Sequence, residues 1–178
     1  MRIVAGAVKG RRLAAPPGSD TRPTSDKVRG AIFNVLGQLF EGGRVLDLYA
    51  GTGAFALEAL SRGCERATCV EADRRAADVL RKNAEACGLE DRVEVRREPV
   101  EAALARLPAT SFDLVFIDPP YAAGPEAALS ALDRLLRPGA TAVAEHDRRR
   151  PPADRYGSLT LVDRRDYGGT GISIYRRE

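Results

Sequence analysis

The segment Val45-Leu46-Asp47-Leu48-Tyr49-Ala50-Gly51-Thr52-Gly53 decides the fold. It runs from an apolar stretch into glycines at a strand-to-helix turn, where a backbone without Cβ lets a ligand approach closely. Strand candidates at residues 44–49, 67–71, 92–97, 112–118 and 140–145 alternate with amphipathic helical runs, the pattern of a parallel sheet with crossover helices. A helix over 54–62 should stop at Gly63, and another should start on Asp73 and run to Gly88. Pro99 and Pro125 suit first-turn positions, and Pro138-Gly139 is expected to end a helix through Leu132 and Leu136. Residues 158–163 and 171–176 read as an antiparallel strand pair around a loop containing Tyr167-Gly168-Gly169. Ahead of the body, residues 2–5 and 11–14 flank a turn-forming stretch and predict a hairpin. A helix over 26–40 follows, capped by Thr24 or Ser25.

With 178 residues, 44% of them hydrophobic, the chain can bury one sizeable core but not two. The expected division is a basic hairpin extension at residues 1–22 and one catalytic domain at 23–178. Residues 1–29 carry seven Lys/Arg against two acids, 30–147 thirteen against nineteen, and 148–178 eight against four. Basic ends around an acidic middle suit a catalytic body whose flanks face a polyanion, although solvated surface gives the same count. Cys64, Cys69 and Cys87 form no CxxC pair, and with the single His146 they make no standard zinc site. They read as reduced core thiols, and no metal is expected. The N-terminus lacks the apolar core of a signal peptide and no uncharged run reaches membrane-spanning length, so a cytoplasmic protein without membrane contact is expected.

Two nucleoside cofactors compete for the glycine turn. Gly51-x-Gly53-x-x-Ala56 satisfies a relaxed dinucleotide fingerprint, and Glu71 lies where a ribose-binding acid belongs. Asp47 separates the two readings. A carboxylate just before the turn would repel the pyrophosphate that a dinucleotide brings to a helix N-terminus, whereas it favours the sulfonium and ammonium of S-adenosylmethionine. A structural cap satisfying loop amides is the competing role for Asp47. Tyr49, Ala50, Ala72 and, at the end of the third strand, Glu98 complete the expected cofactor contacts. Glu98 before Pro99 also suits a favourable charge at a helix N-terminus.

Asp118-Pro119-Pro120-Tyr121 follows an apolar strand and carries the chemistry. An exocyclic base amine is a poor nucleophile because its lone pair is delocalised into the ring, so it must be held with that pair aimed at the methyl group. The Asp118 carboxylate and the Pro119 carbonyl can accept its two N–H bonds, while Tyr121 offers a face for a flipped base. An acidic turn is the bland alternative; the position of the tetrapeptide after the fourth strand, downstream of Asp47, Gly51, Gly53 and Glu71, favours the acceptor site. None of the cysteines lies beside Asp118, which argues against a cysteine nucleophile, and His146 is expected to have a surface or loop role.

Taken together, these residues resemble the RsmD family, bacterial small-subunit ribosomal RNA guanine-N2 methyltransferases. The resemblance rests on Arg2-Ile3-Val4-Ala5-Gly6, Lys9-Gly10-Arg11-Arg12-Leu13, Arg22-Pro23-Thr24-Ser25-Asp26-Lys27-Val28-Arg29, Phe33-Asn34-Val35-Leu36, the glycine loop, the Asp-Pro-Pro-Tyr motif, Tyr167-Gly168 and Ile172-Ser173-Ile174-Tyr175. It implies a Rossmann-like α/β methyltransferase with a seven-stranded, mostly parallel sheet, an antiparallel C-terminal pair and an N-terminal hairpin. It also implies S-adenosylmethionine as cofactor, S-adenosylhomocysteine as product, and a guanine amine of ribosomal RNA or the small ribosomal subunit as acceptor. The basic residues Arg2, Lys9, Arg11, Arg12, Arg22, Lys27 and Arg29 are expected to grip RNA, and the protein to act as a monomer. Relatives usually carry Gly-Asp where this chain has Glu98-Pro99. A DNA adenine or cytosine amino-methyltransferase and a nicotinamide-dependent oxidoreductase are the alternatives; the first lacks a DNA-recognition insertion here, and Asp47 and the Asp118 motif oppose the second.

Overall fold

Strand β1 (Arg44–Leu48) is buried at every position after its first, which suits the centre of a parallel sheet covered on both faces. The computed structural model describes residues 1–16, 25–120 and 122–178. Strands β2 (Arg66–Val70), β3 (Val93–Arg96), β4 (Phe112–Ile117) and β5 (Leu136–Asp147) lie parallel to β1 in the order β3-β2-β1-β4-β5. Strand order reverses between β1 and β4. In an open α/β sheet that switch point leaves a crevice outside the carboxyl ends of the strands, where ligands bind.

Antiparallel strands β8 (Thr170–Arg177), β7 (Leu159–Tyr167) and β6 (Arg155–Tyr156) extend the sheet beyond β5. The sheet therefore has eight strands rather than the seven expected. The additional strand is a two-residue edge made when the chain folds back at Gly157-Ser158 onto Leu159 and Thr160, too short to leave a periodic signal.

Alternation along β1 divides the core. Val45 joins a cluster with Ile32, Phe33, Phe55 and Leu80, under α1 (Asp26–Leu36), α2 (Ala54–Ser61) and α3 (Arg74–Cys87). Leu46 and Leu48 join the opposite cluster, with Val100 and Leu104 of α4 (Val100–Arg106) and Leu129 of α5 (Glu126–Ala131). The Ser25 and Asp73 side chains cap α1 and α3 by accepting from Val28 N and Ala76 N, and Gly88 ends α3 in the left-handed region. Helix α1 stops at Leu36, before Gly37, and does not reach Phe40.

The helix expected through Leu132 and Leu136 ends at Ala131, and β5 already begins at Leu136. Pro138-Gly139 sits inside that strand, where the register to β4 slips between the Phe112–Leu136 and Leu114–Thr141 pairs. Proline is tolerated at such irregularities because no ladder bond is asked of it there.

Chain reversal at the N-terminus is as expected, but only the Arg2–Arg12 bridge is ladder-like. Ile3 N donates to Arg11 O, Gly10 N to Ile3 O and Leu13 N to Met1 O. Ile3 and Leu13 are buried in the α1–α3 cluster, so the hairpin shares the core of the body.

Candidate active site

At the carboxyl end of β1 the chain needs a sharp turn into α2. Gly53 supplies it with φ +80°, and a Cβ there would lie 2.8 Å from Leu80 Cγ. Glycine is thus required both by backbone conformation and by the close packing of α3. Tyr49 is also left-handed, at φ 61°, an outlier for an aromatic residue of the kind that clusters at functional sites. Its side chain packs on the α4–α5 side of the sheet, over a groove of about 530 Å³ lined also by Glu101, Leu104 and Ala131. Only its backbone shapes the glycine loop.

Two carboxylates flank that loop. Asp47 is 1% exposed and its Oδ2 accepts from Ala56 N at 3.0 Å, holding the first turn of α2. Burial pushes its carboxyl up to about 7, the Ala56 N–H pulls down and the Glu71 charge pushes up. Glu71 accepts from Gly51 N with Oε2 and from Asp73 N with Oε1, both at 2.8 Å. Ala50 is buried, its N–H bonded to Val70 O at 3.0 Å, and Ala72 is exposed beside Glu71. The cap role weighed for Asp47 is therefore present.

The donor set fits a cation-bearing nucleoside. Neither carboxylate forms an ion pair among the described residues, so the loop is an anionic cradle, hostile to phosphate and suited to a sulfonium and an ammonium.

Glu98 has a structural task at the start of α4. Its oxygens are taken by Arg96 Nε at 2.8 Å and by Arg106, which ties the β3–α4 corner together. A carboxylate held by two guanidiniums is charge-compensated and fixed in direction.

Asp118 sits one residue beyond the Leu48–Ile117 pair of β1 and β4, and its N–H approaches Leu48 O at 3.4 Å. The register alone thus brings it beside the turn that opens at Tyr49. Pro119 is buried and Pro120 exposed. The Pro120 carbonyl accepts from Ala123 N at 2.8 Å, whereas no hydrogen bond reaches the Pro119 carbonyl among the described residues. Tyr121 and Arg22 lie outside the described residues. Beneath the motif, Phe116 of β4 stacks on Phe55 of α2 (centroids 4.7 Å apart, planes at 22°) and meets Phe33 of α1 at 5.5 Å. These rings lock α1 and α2 against β4.

Of the basic residues expected to face RNA, Arg2, Lys9, Arg11, Arg12 and Lys27 are exposed. None forms an ion pair among the described residues. Arg29 is a correction: it is fully buried, paired with Asp26 at 2.9 Å and Glu58 at 3.6 Å, and bonded to Arg2 O. A guanidinium withdrawn from water cannot grip a phosphate on the surface. Glu58 accepts from Val4 N and Ala5 N at 2.8 and 3.0 Å and from Arg62 Nε at 2.8 Å. It is the residue that sequence reading missed, and its one available signal was a lone acid in the apolar run of α2. Asn83, also missed, bonds Ala14 on both sides and donates to Thr52 O at 3.0 Å, joining hairpin, α3 and glycine loop.

All three cysteines are buried, and burial raises Cys64 to about 12 and the other two thiols above their ordinary value. Reactive thiolates are not made this way. His146 is 4% exposed, which corrects its expected surface or loop role.

The family described as Conserved hypothetical protein 95 matches residues 1–176 of this chain. The chain belongs to this family. It is the RsmD family whose motifs the sequence carries. A Bacillus subtilis relative, YlbH, provisionally named an rRNA methyltransferase, is 40% identical over 99% of both chains. Ribosomal RNA small subunit methyltransferase D of Haemophilus influenzae is 32% identical, over 99% of this chain and 92% of its own. Among solved structures, an Escherichia coli protein, yhhF, provisionally named a methyltransferase, superposes with a TM-score of 0.86 at 30% identity, over 100% of this chain and 98% of its own. The fold recurs in an RNA methyltransferase of Salinibacter ruber in complex with S-adenosyl-L-homocysteine (TM-score 0.66, 22% identity, 87% of this chain and 93% of that one). Relatives in this family are named methyltransferases, and S-adenosylmethionine is the cofactor that fits the cradle described above.

Proposed function

We propose that this protein methylates the exocyclic N2 amine of a guanine in small-subunit ribosomal RNA. The observation that carries the reading is the placement of Asp118-Pro119 one strand from the anionic glycine loop, with the Pro119 carbonyl available and the Pro120 carbonyl consumed in the turn. The ribosomal target follows the name of the Haemophilus influenzae relative, and the guanine follows the family resemblance.

S-adenosylmethionine supplies an electrophilic methyl on a positively charged sulfur. Asp47, Glu71 and the backbone from Tyr49 to Gly53 hold it, with Ala72 at the margin. The Asp118 carboxylate and Pro119 carbonyl accept the two N–H bonds of the amine, turning its lone pair toward that methyl, and Pro120 fixes the carbonyl's direction. Tyr121 stacks on the base. The amine nitrogen bonds to the methyl carbon as the carbon–sulfur bond breaks and its electron pair returns to sulfur; one amine proton then passes to water. Positioning and electrostatics supply the rate. Residues 1–22 act as the RNA-gripping extension of the 23–178 catalytic domain, through Arg2, Lys9, Arg11, Arg12 and Arg22, with Lys27 adding to the grip from α1.

The test is parallel incubation with methyl-labelled cofactor and either deproteinised small-subunit ribosomal RNA or DNA, followed by digestion to nucleosides, with calorimetric titration of NADH alongside. Label in N2-methylguanosine supports the reading. Label in an adenine or cytosine amine of DNA would replace it with the DNA enzyme, and binding of NADH in place of the methionine cofactor would replace it with the oxidoreductase.

A further inference from the structure

The hairpin reaches the glycine loop through Ala14 of its second arm, by way of Asn83 and Thr52, but its turn does not. Its turn rests on the far end of α2: Ala7 N donates to Ser61 O at 2.7 Å and Val8 N to Ser61 Oγ at 3.1 Å. Helix α2 starts at the glycine loop and runs eight residues, about 12 Å at 1.5 Å per residue. Lys9 therefore lies away from the carboxyl edge of the sheet. RNA held only there would leave the target nucleotide unsupported at Asp118.

A second cationic surface lies on the catalytic edge itself. Strand β5 ends at Asp147 and is followed by Arg148, Arg149 and Arg150, all exposed. None of the three forms an ion pair among the described residues, although eleven other arginines do. Arg150 lines a cavity of about 130 Å³ together with Pro119 and residues of the following loop. The arginine turn thus adjoins the acceptor motif directly.

The turn is also fixed in place. Arg148 N donates to Gly169 O at 3.1 Å and Arg150 N to Asp147 O at 2.9 Å. The Asp147 carboxylate accepts from Arg149 N at 2.8 Å, which ties the first residues of the turn to the end of β5. His146 braces it from below. Its Nδ1 meets Asp147 O at 2.9 Å and its Nε2 meets Ser173 Oγ at 2.9 Å. A carbonyl can only accept, so Nδ1 carries a proton. Arg164 Nε donates to the same Ser173 oxygen at 3.0 Å. Pro151-Pro152 then stiffens the exit from the turn. The backbone that carries the three unpaired guanidiniums is thus preorganised, so only side-chain freedom is lost when they meet a phosphate.

We propose that Arg148, Arg149 and Arg150 form a second RNA-backbone site, on the acceptor side, that holds phosphates flanking the nucleotide presented to Asp118. This rests on the proposed action on RNA. Glu126 and Glu145 also line the cavity and would repel a phosphate inside it, so the phosphates seat on the exposed rim. Arg150, nearest Pro119, is the positioning residue for the target nucleotide; Arg148 and Arg149 carry the adjoining backbone.

The experiment compares the parent chain with R148A/R149A/R150A and R148K/R149K/R150K, measuring binding to bacterial small-subunit ribosomal RNA across a salt series. Cofactor affinity and thermal midpoint, expected to match the parent, check the fold. Each lost phosphate contact removes roughly 0.7–0.9 from the slope of log affinity on log salt. The alanine triple should therefore lose about two from that slope and bind about tenfold or more weakly at low salt. The lysine triple should keep the slope. Parental affinity and slope in the alanine triple, with methyl transfer to RNA intact in the parent, would overturn the arginine site alone. A parent that transfers methyl groups to no RNA would instead overturn the reading on which the site rests.

Discussion

The buried carboxylate of Asp47 accepts a hydrogen bond from the Ala56 backbone N–H at 3.0 Å, so the acid that faces the cofactor cradle also anchors the helix that closes it. Burial and Glu71 raise its carboxyl to about 7, from an ordinary value of 3.8. A group whose folded-state value is raised contributes stability below its unfolded value and loses it as pH climbs through the folded one. The cofactor-free protein should therefore lose stability between about pH 4 and pH 7 from this group.

Asp47→Asn retains an oxygen for Ala56 N and cannot ionise. It should be as stable as the parent near pH 4, and more stable by roughly 1–3 kcal/mol at pH 8, as urea titrations at both pH values would show. Cofactor binding should reverse the ranking: parental affinity rises with pH through 7 as the carboxylate ionises, while the variant binds weakly at every pH. Calorimetry checks both. A variant that binds as tightly as the parent would leave Asp47 as a cap only.

Glu58 holds two buried arginines and two hairpin amides. Glu58→Ala strands those guanidiniums without their shared carboxylate and should cost about 3–5 kcal/mol. Denaturant unfolding measures this directly. A near-neutral result would mean that water reaches Arg29 and Arg62 and that the hairpin is held otherwise.

Gly6 lies at φ +86°, and a Cβ there would fall 1.9 Å from Ser61 O. Gly6→Ala should undock the hairpin turn, with hydrogen exchange accelerating at the Ala7 and Val8 amides. RNA affinity should fall while cofactor affinity stays. Unchanged exchange at those amides would contradict the docking described.

The order of strands and helices through β4 was legible because parallel strands buried on both faces are apolar and each helix carries its own punctuation: Ser25 and Asp73 begin helices, and Gly88 ends one. Asp118 and the glycine loop were legible because a covalent sequence of four or nine residues carries the local geometry. Pro138-Gly139 misled because the same dipeptide that stops a helix also marks a register slip in a strand. Arg29 misled because charge is visible in sequence and burial is not: its neighbours Asp26 and Glu58 lie 3 and 29 residues away, and only folding shows that they neutralise it. The partners of Glu98 were hidden for the same reason, since Arg106 reaches it from a full turn and more along α4.

Tyr121 separates stacking from hydrogen bonding. Tyr121→Ala should lower the transfer rate by the loss of a stacking contact worth about 1–3 kcal/mol, and Tyr121→Phe should be close to parental. Equal loss in both variants would assign the role to the hydroxyl.

Single-turnover methyl transfer by Asp118→Ala, at saturating ribosomal RNA and with cofactor affinity measured on the same preparation, tests the central claim most directly. The carboxylate is assigned to aiming the acceptor amine and not to the cofactor, so transfer should fall at least a hundredfold, about 2.7 kcal/mol of barrier, with cofactor affinity unchanged. Parental transfer by the variant would contradict the assignment of this edge of the sheet to the acceptor amine.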